Sequence, residues 1–154
     1  MPGEIIGLDS TNTDAYNCSA KALELSSVCE IPFNHLETLA AKNPALQHHF
    51  FALMSEEIQR SQSLTLLLSK KSAEGRMACL LIDLSKRFQH RRLSGTNFRL
   101  PMTRIDISNY LGLAVETVSR VLTLFQKNNI ISLKGRELIL LEIPTLVEMS
   151  NHNH

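Results

Sequence analysis

No apolar run in this 154-residue chain approaches the roughly 18 residues that a membrane span requires. The N-terminus also lacks a basic stretch followed by an apolar core, the mark of a secretory signal. Three cysteines, Cys18, Cys29 and Cys79, are an odd number with no close-spaced pair, which argues against a disulfide framework. There is no Gly-rich phosphate loop, no His-Glu-x-x-His and no nucleophile elbow. The six histidines, including His48-His49 and the terminal His152 and His154, show no spacing that requires a metal, and the terminal pair reads as a frayed tail. No internal repeat is present. These absences point away from membrane-embedded and disulfide-stapled classes and leave catalysis without a positive sign. A cytoplasmic, non-enzymatic protein with no cofactor in this chain alone is the expectation.

What is present is a globular composition, with 44% hydrophobic and 20% charged residues, and an uneven charge map. Net charge is only +1, yet residues 86 to 136 carry ten Lys or Arg against Asp106 and Glu116, a local net of +8. Residues 1 to 85 come to −4 and residues 137 to 154 to −3. A basic block of this kind is an electrostatic footprint for phosphate when it coincides with a reading element.

Along the chain, Pro2-Gly3 is a turn signal, Glu4 to Leu8 a short strand, and Ser10 to Asn17 a polar loop. Lys21 to Leu25 and Ser27 to Ile31 alternate as two more strands. So few strands cannot cover their own edges, so this β-portion reads as the end of a larger domain. Pro32 starts a short helix, and Asn43-Pro44 supplies an N-cap and first-turn proline for a long one to about Leu68. That long helix places Phe51, Met54, Ile58, Ser61, Thr65 and Leu68 at spacings of three and four, a coiled-coil seam. A second stripe, Leu46, Phe50, Leu53, Leu64 and Leu67, lies beside it, so one stripe serves its own domain and the other is spare for dimerisation.

After a polar break at Ser69 to Ser72, a helix from Ala73 to about His90 carries Met77, Leu80, Leu81, Leu84 and Phe88 on one face. A basic loop from Arg91 to Gly95 and a short strand at Phe98 to Leu100 follow. Thr103 with Asp106 approximates a capping box for a helix burying Ile107, Tyr110 and Leu111. Gly112 then permits a left-handed turn, and Leu113-Ala114 lead into a second helix that ends near Asn128-Asn129. Ile130 to Leu133 and Glu137 to Ile143 form a hairpin wing with Lys134 and Arg136 at its tip, and the tail from Pro144 has room for one helical turn. The domains expected are residues 1–42, 43–70 and 71–154: β-remnant, dimerisation helix and winged helix-turn-helix. The fold class is mainly α with small β.

In the second helix of that motif, Glu116, Ser119, Arg120, Thr123 and Lys127 share one side, while Val118, Val121, Leu122 and Phe125 fill the other. Arginine can grip guanine O6 and N7, glutamate can accept from cytosine N4, and serine can bond either way, so this face is able to read base edges. Glu116 and Arg120 also have the spacing of a helical ion pair, which would orient the arginine. Phosphate contacts are expected from Arg104, Thr117 and Lys127, and from Lys134 and Arg136 on the wing. The rival reading is a protein-interaction module whose DNA face is unused.

Leu111-Gly112-Leu113, Val115-Glu116-Thr117, Ser119-Arg120, Phe125-Gln126-Lys127, Leu67-Leu68-Ser69-Lys70-Lys71 and Val28-Cys29-Glu30-Ile31-Pro32 resemble the oxygen-responsive Fnr branch of the Crp/Fnr bacterial transcription regulators. The resemblance runs from Pro2 to about Ile143 and implies a β-roll sensor domain, a dimerisation helix, double-stranded DNA and RNA polymerase as partners, and an activator role. It carries Glu116, Ser119 and Arg120 over as base contacts to a palindrome of the type TTGAT-N4-ATCAA, and matches the loop at Arg91 to Asn97 to a polymerase-contacting surface. It implies a four-iron, four-sulfur cluster in an intact family member, for which Cys29 alone has a counterpart here. Two positions depart from the pattern. Ala114 stands where a Thr or Ser cap is expected, at a cost of about 1 kcal/mol, and neutral Ser61 occupies a seam position where a charge would oppose pairing.

Overall fold

The structure is a computed structural model that describes residues 5–8, 15–16 and 19–151. The turn at Pro2-Gly3, Glu4, most of the loop from Ser10 to Asn17, Cys18 and the terminal histidines lie outside the described residues. The chain divides into two compact units, Met1–Gln62 and Ser63–His154.

In the first unit, Pro32 caps helix α1 (Phe33–Lys42), its carbonyl accepting from the amides of His35 and Leu36 at 3.0 and 3.2 Å. Asn43 ends α1 and opens α2 (Pro44–Lys70), whose last turns, from Ser63 on, fall in the second unit. Its Oδ1 accepts from the amides of Ala45 and Leu46 at 3.1 and 3.2 Å, and Pro44 takes the first helical position, where its missing N–H costs nothing. Phe33 and Phe50 meet with ring centroids 6.3 Å apart. The two stripes of α2 separate by exposure. Leu46, Phe50, Leu53, Leu64 and Leu67 are half-buried, whereas Phe51, Ile58, Ser61, Thr65 and Leu68 are exposed and Met54 is half-buried.

The strands expected at Lys21 to Leu25 and Ser27 to Ile31 are not formed, and residues 5–8 are not a strand either. Residues 19–31 run without regular structure, and all are exposed. Alternating apolar residues make a strand only where a neighbour receives the ladder hydrogen bonds and a core receives the apolar face. Here Leu25, Val28 and Ile31 meet neither.

The second unit follows the expected order. Ser72 caps α3 (Ala73–His90), its hydroxyl accepting from the Gly75 amide at 3.1 Å. Strand β1 (Asn97–Arg99) precedes α4 (Arg104–Leu111), α5 (Val115–Lys127) and the hairpin of β2 (Ile131–Lys134) and β3 (Glu137–Leu140). The sheet is antiparallel in the order β1-β3-β2, with Phe98 opposite Leu138 and Leu133 opposite Leu138 on the other side. Met77, Leu81, Ile107, Leu111, Val118, Val121, Leu122, Phe125, Ile131 and Leu138 form the buried core, and Phe88 stacks on Phe98 at 4.7 Å. Tyr110, expected inside, keeps 39% of its surface exposed. The remainder is covered, and that burial, with the Asp83 charge added and the Arg87 charge opposing, raises its phenol above the ordinary value.

The tail is longer than the single turn expected. Helix α6 (Ile143–Asn151) packs on α3 with Leu146 fully buried. Pro144 sits in its first turn, where proline is tolerated, and burial of Leu146 supplies what local sequence could not. At its far end the Ser150 carbonyl accepts from the Lys71 ammonium and, at 3.7 Å, from the Cys79 thiol. Cys79 is half-buried, and burial raises its thiol above the ordinary value, with Lys71 opposing.

Candidate nucleic-acid interface

The reciprocal bonds of a capping box set the start of α4. The Asp106 amide donates to Thr103 Oγ1 at 3.2 Å, and the Thr103 amide donates to Asp106 Oδ2 at 2.8 Å. The end of α4 is set by Gly112 at φ +60, a left-handed position that costs an L side chain energy. The Gly112 and Leu113 amides both close on the Ser108 carbonyl. The chain then turns through Leu113 and Ala114 into α5. Ala114 has the extended geometry of an N-cap but no side-chain bond to the helix, so this start depends on packing.

Packing is strong on one side only. Val118, Val121, Leu122 and Phe125 are essentially fully buried, which fixes the rotation of α5 about its axis. Glu116, Arg120, Thr123 and Lys127 are consequently exposed, with Ser119 and Thr117 half-buried. The i,i+4 pair between Glu116 and Arg120 is not formed, and among the described residues neither side chain has a hydrogen bond or ion pair. Both charged groups therefore meet a ligand without first breaking an internal contact. Ser119 is more constrained: its Oγ accepts from Arg104 Nη1 at 3.3 Å, and its carbonyl accepts from Thr123 Oγ1 at 2.9 Å.

Arg104 thus touches a residue of the reading face. It also lines, with Arg136, an open cleft of about 190 Å³ between the start of α4 and the wing. Ile107, Leu122 and Leu133 are among the residues lining it, and Thr103 stands beside Arg104. Two guanidinium-bearing residues around one concavity beside the reading helix suit a phosphate oxygen. Lys134 is exposed at the end of β2, and Gly135 opens the two-residue turn at φ +63. Lys127 lies at the opposite end of α5 from Glu116. Sequence reasoning missed Gln126, whose Nε2 donates to the Leu133 carbonyl at 3.1 Å and ties α5 to the wing. It also missed Arg76, whose guanidinium reaches the carbonyls of Leu68, Lys71 and Leu111.

Residues 75–149, from early α3 to near the end of α6, match the model of the Crp-like helix-turn-helix domain. This domain belongs to the Crp-like helix-turn-helix family. The whole chain is 51% identical over 142 residues to the transcriptional activator protein anr of Pseudomonas aeruginosa, covering 92% of itself and 58% of that protein. It is 47% identical over 150 residues to the fumarate and nitrate reduction regulatory protein of Vibrio cholerae, covering 97% of itself and 60% of that protein. Among solved structures it is similar to FixK2 from Bradyrhizobium japonicum, with a TM-score of 0.71 and 29% identity over 77% of this chain and 59% of that one. The chain thus spans about three fifths of the length of the curated relatives it matches.

The described residues do not by themselves form a site for an iron–sulfur cluster. Cys29 is exposed in the irregular segment, and among the described residues no three His, Cys, Asp or Glu converge as a metal site. Nor is any helix among them long and apolar enough to cross a membrane.

Proposed function

We propose that this chain is a Crp/Fnr-type, sequence-specific DNA-binding transcription regulator that acts as a symmetric dimer. The observation that carries the proposal is the state of α5: one face locked in the core, the other presenting Glu116 and Arg120 exposed and unpaired. A helix so held enters a major groove, with Arg120 and Glu116 reading base edges and Ser119 positioned by Arg104. Arg104, Thr117, Lys127, Lys134 and Arg136 meet phosphates, and the +8 charge of residues 86–136 supplies the long-range attraction.

The exposed stripe of Phe51, Ile58, Ser61, Thr65 and Leu68, with Met54, is the proposed dimer seam on α2. A dimer places two reading helices on half-sites about 34 Å apart, which accounts for a two-fold target of the TTGAT type. In this assignment residues 43–70 are the pairing helix, residues 71–154 the DNA-binding domain, and residues 1–42 belong to a sensor region. The loop after α3 is the proposed contact for RNA polymerase. Arg92 is held there at φ +58, Leu93 is exposed, and Ser94 Oγ accepts from the amides of Thr96 and Asn97 at 3.3 and 3.0 Å. A local fold of this kind presents Leu93 in a fixed position. A cytoplasmic location accompanies this role. Fluorescence anisotropy with a labelled TTGAT-type palindrome and a scrambled duplex tests the proposal: preference for the palindrome supports it, and equal binding to both refutes it.

A further inference from the structure

The guanidinium of Arg76 makes three hydrogen bonds to backbone carbonyls from two helix ends. Nη2 donates to Leu68 at 2.7 Å, Nε to Lys71 at 3.0 Å, and Nη1 to Leu111 at 3.0 Å. Leu68 is in the last turn of α2, and Leu111 is the last residue of α4. Both carbonyls belong to the terminal group that a helix leaves without an intrahelical donor, and both sit at the negative end of a helix dipole. One cation answers both. Gly112 closes over it, since a Cβ there would stand 3.7 Å from Arg76 Nη1 and 3.7 Å from Leu68 Cδ2. Arg76 itself is fixed in the first turns of α3, its amide bonded to the Ser72 carbonyl at 2.9 Å.

This connection has a geometric consequence. The last turns of α2 carry Thr65 and Leu68 of the exposed seam, and Leu111-Gly112 is the step from which α5 is launched. A guanidinium is planar, and its donors leave in fixed directions, so three bonds to three carbonyls define an orientation as well as a distance. We propose that Arg76 is a positioning residue that fixes the reading helix against the end of the pairing helix and thereby sets the half-site spacing that a dimer accepts. The inference rests on the dimeric DNA-binding reading above. Changing the spacer by one base pair moves a half-site by about 3.4 Å along the duplex and by roughly a tenth of a turn around it. A stiff connection resists that displacement, and a loosened one follows it.

The test uses the full chain with Arg76→Met, which removes the donors and keeps much of the side-chain bulk, and Arg76→Lys, which keeps the charge but cannot span three carbonyls. The probes are duplexes carrying two TTGAT-type half-sites at the preferred spacing and at one base pair shorter and longer, with a single half-site duplex as reference. The wild type is expected to favour one spacing by about tenfold, and Arg76→Met to narrow that preference to about threefold while binding the single half-site unchanged. Arg76→Lys should fall between them. Amide hydrogen exchange gives a readout without DNA: in Arg76→Met, residues 66–71 and 109–114 should lose protection while α5 and the sheet keep theirs.

A uniform loss of protection across the domain would make Arg76 a stability residue only and overturn the inference. Unchanged protection at both segments, or a spacer profile shared by wild type and Arg76→Met, would overturn it too. Failure of the wild type to bind any duplex would instead sink the DNA-binding reading, and the spacing claim with it.

Discussion

Arg120 and Lys127 stand on the same exposed side of α5, yet their substitutions should read differently. In the proposed complex Arg120→Ala removes a bidentate donor to a base edge, so it should cost roughly 1–3 kcal/mol of binding and relax discrimination at one base pair. Lys127→Ala removes a proposed phosphate contact and should weaken all sequences alike, with a shallower dependence on salt. Competition titrations against single-base variants of the site separate the two patterns. Ala114 makes the opposite kind of prediction. Its backbone already has N-cap geometry and its side chain offers nothing, so Ala114→Ser should stabilise the domain by about 1 kcal/mol. A thermal melt should show a rise of about 4–8 °C for a domain of this size. No gain would mean that the missing hydroxyl is compensated by packing.

The elements that sequence located well are those whose ends are decided locally. Thr103 and Asp106 lie three residues apart, and their reciprocal bonds appear as expected; Asn43-Pro44, Ser72 and Gly112 likewise mark helix ends within a turn of themselves. Elements that depend on a distant partner were the ones misread. Residues 21–31 alternate, but the alternation has no paired strand to register against. Helix α6 has a proline at its start and a polar end, and its packing on α3, with Leu146 buried, is what local sequence did not show. Leu146→Ala should therefore cost about 2–5 kcal/mol in urea unfolding, as for other fully buried leucines. A frayed tail would lose almost nothing. The arginine that joins α2 to α4 was invisible for a related reason: its partners are carbonyls, and every residue has one.

At the scale of the whole molecule, two exposed faces carry the proposal, one along α2 and one along α5. The face of α5 was legible because its two sides differ so sharply in chemistry. The stripe expected to pair on α2 was named from spacing, and its residues are exposed, with Phe51 at 60% and Ile58 at 56%. In the proposed dimer Ile58→Glu places a charge in the seam, so sedimentation should find dimer for the wild type and monomer for the variant. Palindrome binding should weaken in parallel, since two linked half-sites bind far better than one.

The most direct test of the account is a titration of the TTGAT-type palindrome and a scrambled duplex over a series of salt concentrations. The expected result is tighter binding to the palindrome at every salt concentration, and an affinity for both duplexes that falls steeply as salt rises. Binding indifferent to both sequence and salt would contradict it.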